Sequence, residues 1–131
     1  AWQWLTEYHF DGLRLDAVQT IFDDAPVTFL EELAEIKALA EEEVGRPLVL
    51  IAESDMNDPR LVTPLEKNGH GMDAQWADDL HHTLHATLTG EQSGYYADYI
   101  GGAAQLARIY REKVAYNGIW SPCRRRPPRC R

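Results

Sequence analysis

The chain has 131 residues, a formal net charge of −8 and 44% hydrophobic residues, which describes one small globular domain and falls short of the roughly 250 residues of a closed (β/α)8 barrel. Nucleic acid is excluded as the main partner, because phosphate binding needs clustered Lys and Arg. No apolar stretch is long enough to span a bilayer and no signal peptide is visible, so the expectation is a cytoplasmic protein with no membrane partner.

In chain order, Ala1 to Leu5 reads as the end of a helix entering the first strand. In Asp11-Gly12-Leu13-Arg14-Leu15-Asp16-Ala17, Leu13 and Leu15 alternate with Arg14 and Asp16, which is strand periodicity. The leucines should face a packed layer, and Arg14 and Asp16 should share the opposite face. Gly12 allows another backbone or a ligand to approach. A charged pair on the inward face of a strand is costly to desolvate. It suits a functional site, and it equally suits a paired structural network. A loop from Ala17 carries Gln19 and closes at Pro26.

Thr28 followed by Glu31 has capping-box spacing and predicts a helix to about Val44. Leu30, Leu33, Ile36 and Ala40, joined by Leu39 and Val44, form its apolar stripe. Gly45 and Pro47 stop it. Leu48 to Asp55 is a continuous apolar run ending in acids, and it reads as a strand buried on both faces. Strand, helix, strand implies a parallel βαβ unit. Asp16 and Glu53 then both stand at C-terminal strand ends, where ligands gather in α/β architectures.

Farther on, Met72 to Trp76 is a candidate third strand. Asp78 is placed to cap a helix that runs to about Thr89 and ends at Gly90, with Leu80, Leu84 and Leu88 as its packed edge. Gly94 to Tyr99 is an aromatic loop. A last helix is expected over residues 103–116, with Leu106, Ile109, Tyr110 and Val114 as core and an Arg108–Glu112 pair at i,i+4. Residues 123–131 form a basic Pro/Arg tail expected to be disordered. Cys123 and Cys130 lie in it and give neither a disulfide framework nor a metal signature.

Two carboxylates at neighbouring parallel strand ends suit glycoside hydrolysis. One protonates the leaving oxygen, and the other attacks the sugar carbon or activates water. Arg14 favours the charged form of Asp16, so Asp16 suits the nucleophile and Glu53 the acid. Two other readings stand beside this one. A non-catalytic sugar-binding fragment would use Trp76, Tyr95, Tyr96 and Tyr99 as stacking surfaces, although such rings more often pack. A metal-dependent hydrolase would use His81 and His85 at i,i+4, but the wider spacing of a metal motif is missing and no metal is expected.

Asp11 to Ala17 resembles the nucleophile strand of glycoside hydrolase family 13, the α-amylase superfamily. Ile51-Ala52-Glu53-Ser54-Asp55 resembles its acid strand. Asp73 to His82, Thr89-Gly90-Glu91 and Gly94-Tyr95-Tyr96 resemble its trehalose-releasing branch. The resemblance implies that residues 1–122 are part of a (β/α)8 TIM barrel, strands four to six of eight, in an intracellular retaining hydrolase without redox or nucleotide cofactors. It implies a substrate of maltooligosyl trehalose or a related α-glucan, cut at the α-1,4 bond next to the trehalose unit. It implies that Asp16 is the nucleophile, Glu53 the general acid/base and Arg14 the partner of Asp16. Arg14, Gln19, Asp78, Asp79, His81 and His82 would bind substrate. Two features depart from the family pattern. Gln19 stands where a His is usual, and the Asn-His-Asp motif that supplies a third acid is absent from the sequence. This chain alone is therefore expected to show no turnover.

Overall fold

The computed structural model describes residues 1–113, 115, 120 and 121. The expectations for Val114, Tyr116, Cys123, Cys130 and the basic tail lie outside the described residues. The chain divides into two compact units, residues 1–54 with 59–76, and residues 55–58 with 77–131. No helix among the described residues is long and apolar enough to cross a membrane.

The first unit begins with a short helix, α1 (Trp2–Thr6), and the strand β1 (Gly12–Leu15). A long helix, α2 (Phe29–Val44), follows and leads to β2 (Val49–Ser54) and β3 (Ala74–Ala77). The strands lie in the order β1-β2-β3. The first pair is parallel, with Gly12 opposite Val49, Leu13 opposite Leu50, Arg14 opposite Ile51 and Leu15 opposite Ala52. Gly12 is required here, because a Cβ at this position would stand 2.1 Å from the Val49 carbonyl oxygen. Arg46 secures the approach to β1 by pairing with Asp11 and donating to the His9 carbonyl at 2.9 Å.

The capping box forms as its spacing predicts. The Thr28 N–H and hydroxyl both donate to the Glu31 carboxylate, at 2.6 and 2.7 Å. These bonds hold the Glu31 carboxyl below its ordinary pKa, the Thr28 backbone N–H contributing most. Gly45, with φ 68°, ends α2 in the left-handed region. Leu30, Leu33 and Ala34 pack on Leu50 and Ala52, with Leu13 and Leu15 at the margin. Leu39 does not join the apolar stripe and is 57% exposed. Ala34 takes the inward position, one helical turn from Leu30.

The expectation that β2 is buried on both faces is also corrected. Leu50 and Ala52 are buried under α2 and Ser54 is buried at the strand end, while Val49 is 40% exposed and Ile51 and Glu53 are half-buried. Only one face has a covering layer among the described residues, so burial alternates with the pleat. Lys37 ties α2 to the sheet edge. Its ammonium meets Asp73 at 2.8 Å and Glu41 at 3.3 Å. Asp73 and Glu41 also accept from the backbone N–H groups of Leu50 and Leu48, both at 2.8 Å. Burial alone would lower the Lys37 pKa, but its bond to Asp73 and the charges of Asp73 and Glu41 outweigh this and raise it.

The second unit holds α3 (Asp78–Thr89) and α4 (Gly102–Glu112). Ala77 occupies the N-cap position, so Asp78 opens the first turn instead of capping it. The leucine edge is corrected outright. Leu80, Leu84 and Leu88 are 38%, 45% and 77% exposed, whereas Asp79, Thr83 and Ala86 face inward. Helix α4 starts against α3 through Gly102 N–H, which donates to Thr87 Oγ1 at 2.7 Å. It turns Ile109 into a cluster with Ala86, Tyr99 and Ala115. Tyr110 points outward at 71% exposure. The Arg108–Glu112 pair forms at 2.8 Å.

Gly12→Ala is expected to lower the unfolding free energy by about 1–3 kcal/mol, as overpacking does. It should read as a lower urea midpoint, and an unchanged midpoint would contradict the close approach. Because the Lys37 pKa is raised by folding, its stabilising contribution is complete at pH 7–9 and is lost as pH rises through the folded-state value. The destabilisation caused by Lys37→Met should therefore shrink above the ordinary lysine range, in thermal melts taken across pH.

Candidate active site

Carried one step beyond the strand, the β1–β2 register sets Asp16 opposite Glu53. Alternation puts both on the face that carries Arg14 and Ile51, away from α2. The Arg14 guanidinium bridges the two acids. Nη1 lies 2.5 Å from Asp16 Oδ1, and Nη2 lies 3.6 Å from Glu53 Oε2. The acids are thus separated by no more than one guanidinium and its contacts. They differ in setting, because the Asp16 side chain is 79% exposed and that of Glu53 only 18%.

Glu53 has a further donor that the sequence did not disclose. The Ala17 N–H reaches its Oε2 at 2.6 Å. To make this bond Ala17 adopts φ 46°, ψ 49°, the left-handed region that non-glycine residues seldom enter. The strained residue directly follows Asp16, so the same turn that ends β1 fixes both acids. Gln19 lies in the single-turn helix Val18–Thr20 that follows. Its Oε1 is buried and accepts no hydrogen bond from the described atoms.

The other predicted site residues belong to the second unit. Asp79 is fully buried at 0% exposure. Its Oδ1 accepts from the Tyr99 hydroxyl at 2.7 Å, and its Oδ2 accepts from Asn57 Nδ2 and the Ala115 N–H, each at 2.7 Å. Three donors offset the cost of burying this carboxylate. The Tyr99 hydroxyl also lies 3.2 Å from His82 Nδ1. Tyr99 spends its one proton on Asp79, so Nδ1 of His82 is the donor in that contact. Asp78 is buried at 7% exposure, with His81 Nδ1 4.0 Å from its carboxylate and the His81 side chain exposed. His85 pairs with Glu91 at 2.8 Å and stacks on Tyr96 at 4.2 Å between centroids. His81 and His85 do not converge on a shared third ligand. Among the described residues no group of three or more His, Cys, Asp or Glu could hold a metal ion.

Of the aromatic candidates, Tyr99 is core at 1% exposure and Tyr95 is 51% exposed. Trp76 is 58% exposed and lies under Arg14, with the guanidinium carbon 4.9 Å from its ring centroid.

No protein-family model matches the sequence. Curated proteins do. The chain is 49% identical to the malto-oligosyltrehalose trehalohydrolase of Arthrobacter ramosus, over 94% of this chain and 21% of that protein. It is 45% identical to the enzyme of the same name from Saccharolobus solfataricus, again over 94% of this chain and 21% of that one. A crystal structure of a Salmonella typhimurium protein assigned as an alpha amylase superposes with a TM-score of 0.80 at 38% identity, covering 95% of this chain and 21% of that one. The chain thus spans about a fifth of the length of the relatives it matches.

The left-handed turn at Ala17 makes a stability prediction. Ala17→Gly, which removes the steric cost, should leave stability unchanged or higher. Ala17→Val should cost about 1–3 kcal/mol. Equal effects of both in denaturant titrations would contradict the strained turn.

Proposed function

We propose that this chain, which belongs to the malto-oligosyltrehalose trehalohydrolase family, carries the nucleophile and the general acid/base of a retaining α-glucan hydrolase. The observation that supports it most is the single guanidinium of Arg14 held between Asp16 and Glu53 on one face of two paired strands. That arrangement keeps two carboxylates close and fixed, which a double displacement at a glycosidic bond requires. The segment then supplies strands four to six of a (β/α)8 barrel, within a longer cytoplasmic polypeptide whose other strands bring the third acid.

The substrate in this reading is maltooligosyl trehalose. Glu53, the more sheltered acid, protonates the oxygen of the α-1,4 bond as it breaks. The freed group is trehalose. Asp16, the more open acid, attacks the anomeric carbon of the glucan and forms an ester. Glu53, now ionised, takes a proton from water as that water cleaves the ester, and Asp16 is restored. Arg14 orients Asp16 and Glu53 throughout. In the first unit Gln19 is the candidate sugar contact; in the second unit Asp78, His81 and His82 are the candidates. Asp79, with both oxygens already bonded, contributes by holding Tyr99, whose hydroxyl in turn meets His82.

A broader α-glucan specificity is the second reading, favoured by the α-amylase assignment of the Salmonella typhimurium structure and by 35% identity, over 58% of this chain, to a 1,4-alpha-glucan branching enzyme from Francisella tularensis subsp. novicida. In a polypeptide carrying this segment at the relatives' full length, Asp16→Asn and Glu53→Gln should each reduce trehalose release from maltooligosyl trehalose by about 10²–10⁴-fold or more. The newly formed reducing end of the glucan should appear first as the α-anomer in proton NMR. Activity retained by Asp16→Asn, or a β-anomer as first product, would overturn the assignment. Equal turnover of plain malto-oligosaccharides would favour the broader specificity.

A further inference from the structure

Trp76 has no role in the chemistry above, and the core does not explain it. At 58% exposure it buries too little surface to be a packing residue. Its position is nevertheless set by the residues that lead into it. Its neighbour Gln75, which points to the other face of the strand, donates from Nε2 to the Ser54 carbonyl at 3.2 Å. Asp73, earlier in the same segment, donates from its N–H to the Leu50 carbonyl at 3.0 Å. Asp73 meets Leu50 and Gln75 meets Ser54, so β3 ascends beside β2 and delivers Trp76 near the end where Asp16 and Glu53 stand.

Across that end the indole carries the Arg14 guanidinium on its face, 4.9 Å from the ring centroid. The same guanidinium reaches Asp16 with Nη1 at 2.5 Å and Glu53 with Nη2 at 3.6 Å. A planar fork can serve two acids on two strands only while its plane is held. The acids fix two points along one edge of the fork, and a ring beneath it fixes the tilt. Aromatic faces attract guanidinium groups by charge–quadrupole attraction and by stacking.

We infer that Trp76 is a positioning residue for the carboxylate pair, its indole face setting the orientation in which Arg14 bridges Asp16 and Glu53. The inference rests on the roles proposed above for those two acids. Trp76 acts through Arg14 and not through the sugar, which separates it from an aromatic platform for substrate. Loss of the ring lets the fork turn, and the acids lose their common spacing. Misplacement of reacting groups by about 1 Å costs on the order of 10²-fold in rate.

The test measures kcat and KM for trehalose release in a polypeptide carrying this segment at the relatives' full length, for Trp76→Ala and Trp76→Phe beside Asp16→Asn and Glu53→Gln. Trp76→Ala should lower kcat about 10- to 100-fold with KM changed less than threefold, and Trp76→Phe should recover most of the loss. An unchanged kcat in Trp76→Ala would overturn the inference. A rise in KM alone would also overturn it and make Trp76 a sugar contact. A Trp76→Phe variant as slow as Trp76→Ala, with both folded by circular dichroism, would count equally against it. If Asp16→Asn and Glu53→Gln stay active, the failure lies instead in the roles assigned to the acids.

Discussion

The structure of the first unit depends on one close approach. Gly12 lies so near the Val49 carbonyl that no side chain fits between them. That contact fixes which residue of β1 faces which residue of β2. A shift of one residue would turn every side chain of the strand to the other face. Leu13 and Leu15 would leave the α2 layer, and Arg14 and Asp16 would be driven into it. The correct register does the reverse. It commits one face of the sheet to Leu50, Ala52 and the helix above them, and it leaves the other face free for charge.

Charge on that face is stabilised by being shared. Arg14 is common to Asp16 and Glu53, and the Ala17 N–H adds a directed bond to Glu53. The second unit treats its acid differently. Asp79 is removed from water and fully occupied by Tyr99, Asn57 and Ala115, so it organises its surroundings and offers nothing to solvent. All three carboxylates stand at or near strand ends, yet Asp16 is 79% exposed while Asp79 is part of the scaffold.

What the sequence disclosed was local. The Thr28–Glu31 box, the Gly45 stop and the alternation around Arg14 each depend on residues close in the chain, and their physics needs no distant partner; the parallel pairing of β1 with β2 joins residues 37 apart and was legible only through the strand-helix-strand order. Where a distant partner decides, the local pattern points the wrong way. The spacing of Leu80, Leu84 and Leu88 marks an apolar edge, but Asp79 draws α3 inward through bonds to Asn57, Tyr99 and Ala115, and the leucines turn outward. The left-handed turn at Ala17 has no sequence signal, because alanine does not announce positive φ as glycine does. It follows from a bond to Glu53 that lies 36 residues away. Trp76 was visible as an aromatic residue, but its pairing with Arg14 spans three strands, and strand order is not written in any single motif.

In the proposed reaction Asp16 is the group that attacks the sugar. Mass spectrometry of the glycosyl-enzyme tests it most directly, using a polypeptide of the relatives' full length with Glu53→Gln to slow hydrolysis of the ester, quenched in acid after exposure to an activated α-glucosyl donor. One glucosyl adduct is expected, on the peptide that contains Asp16, absent when Asp16→Asn is added. An adduct on any other carboxylate, or turnover by the Asp16→Asn protein, would contradict it.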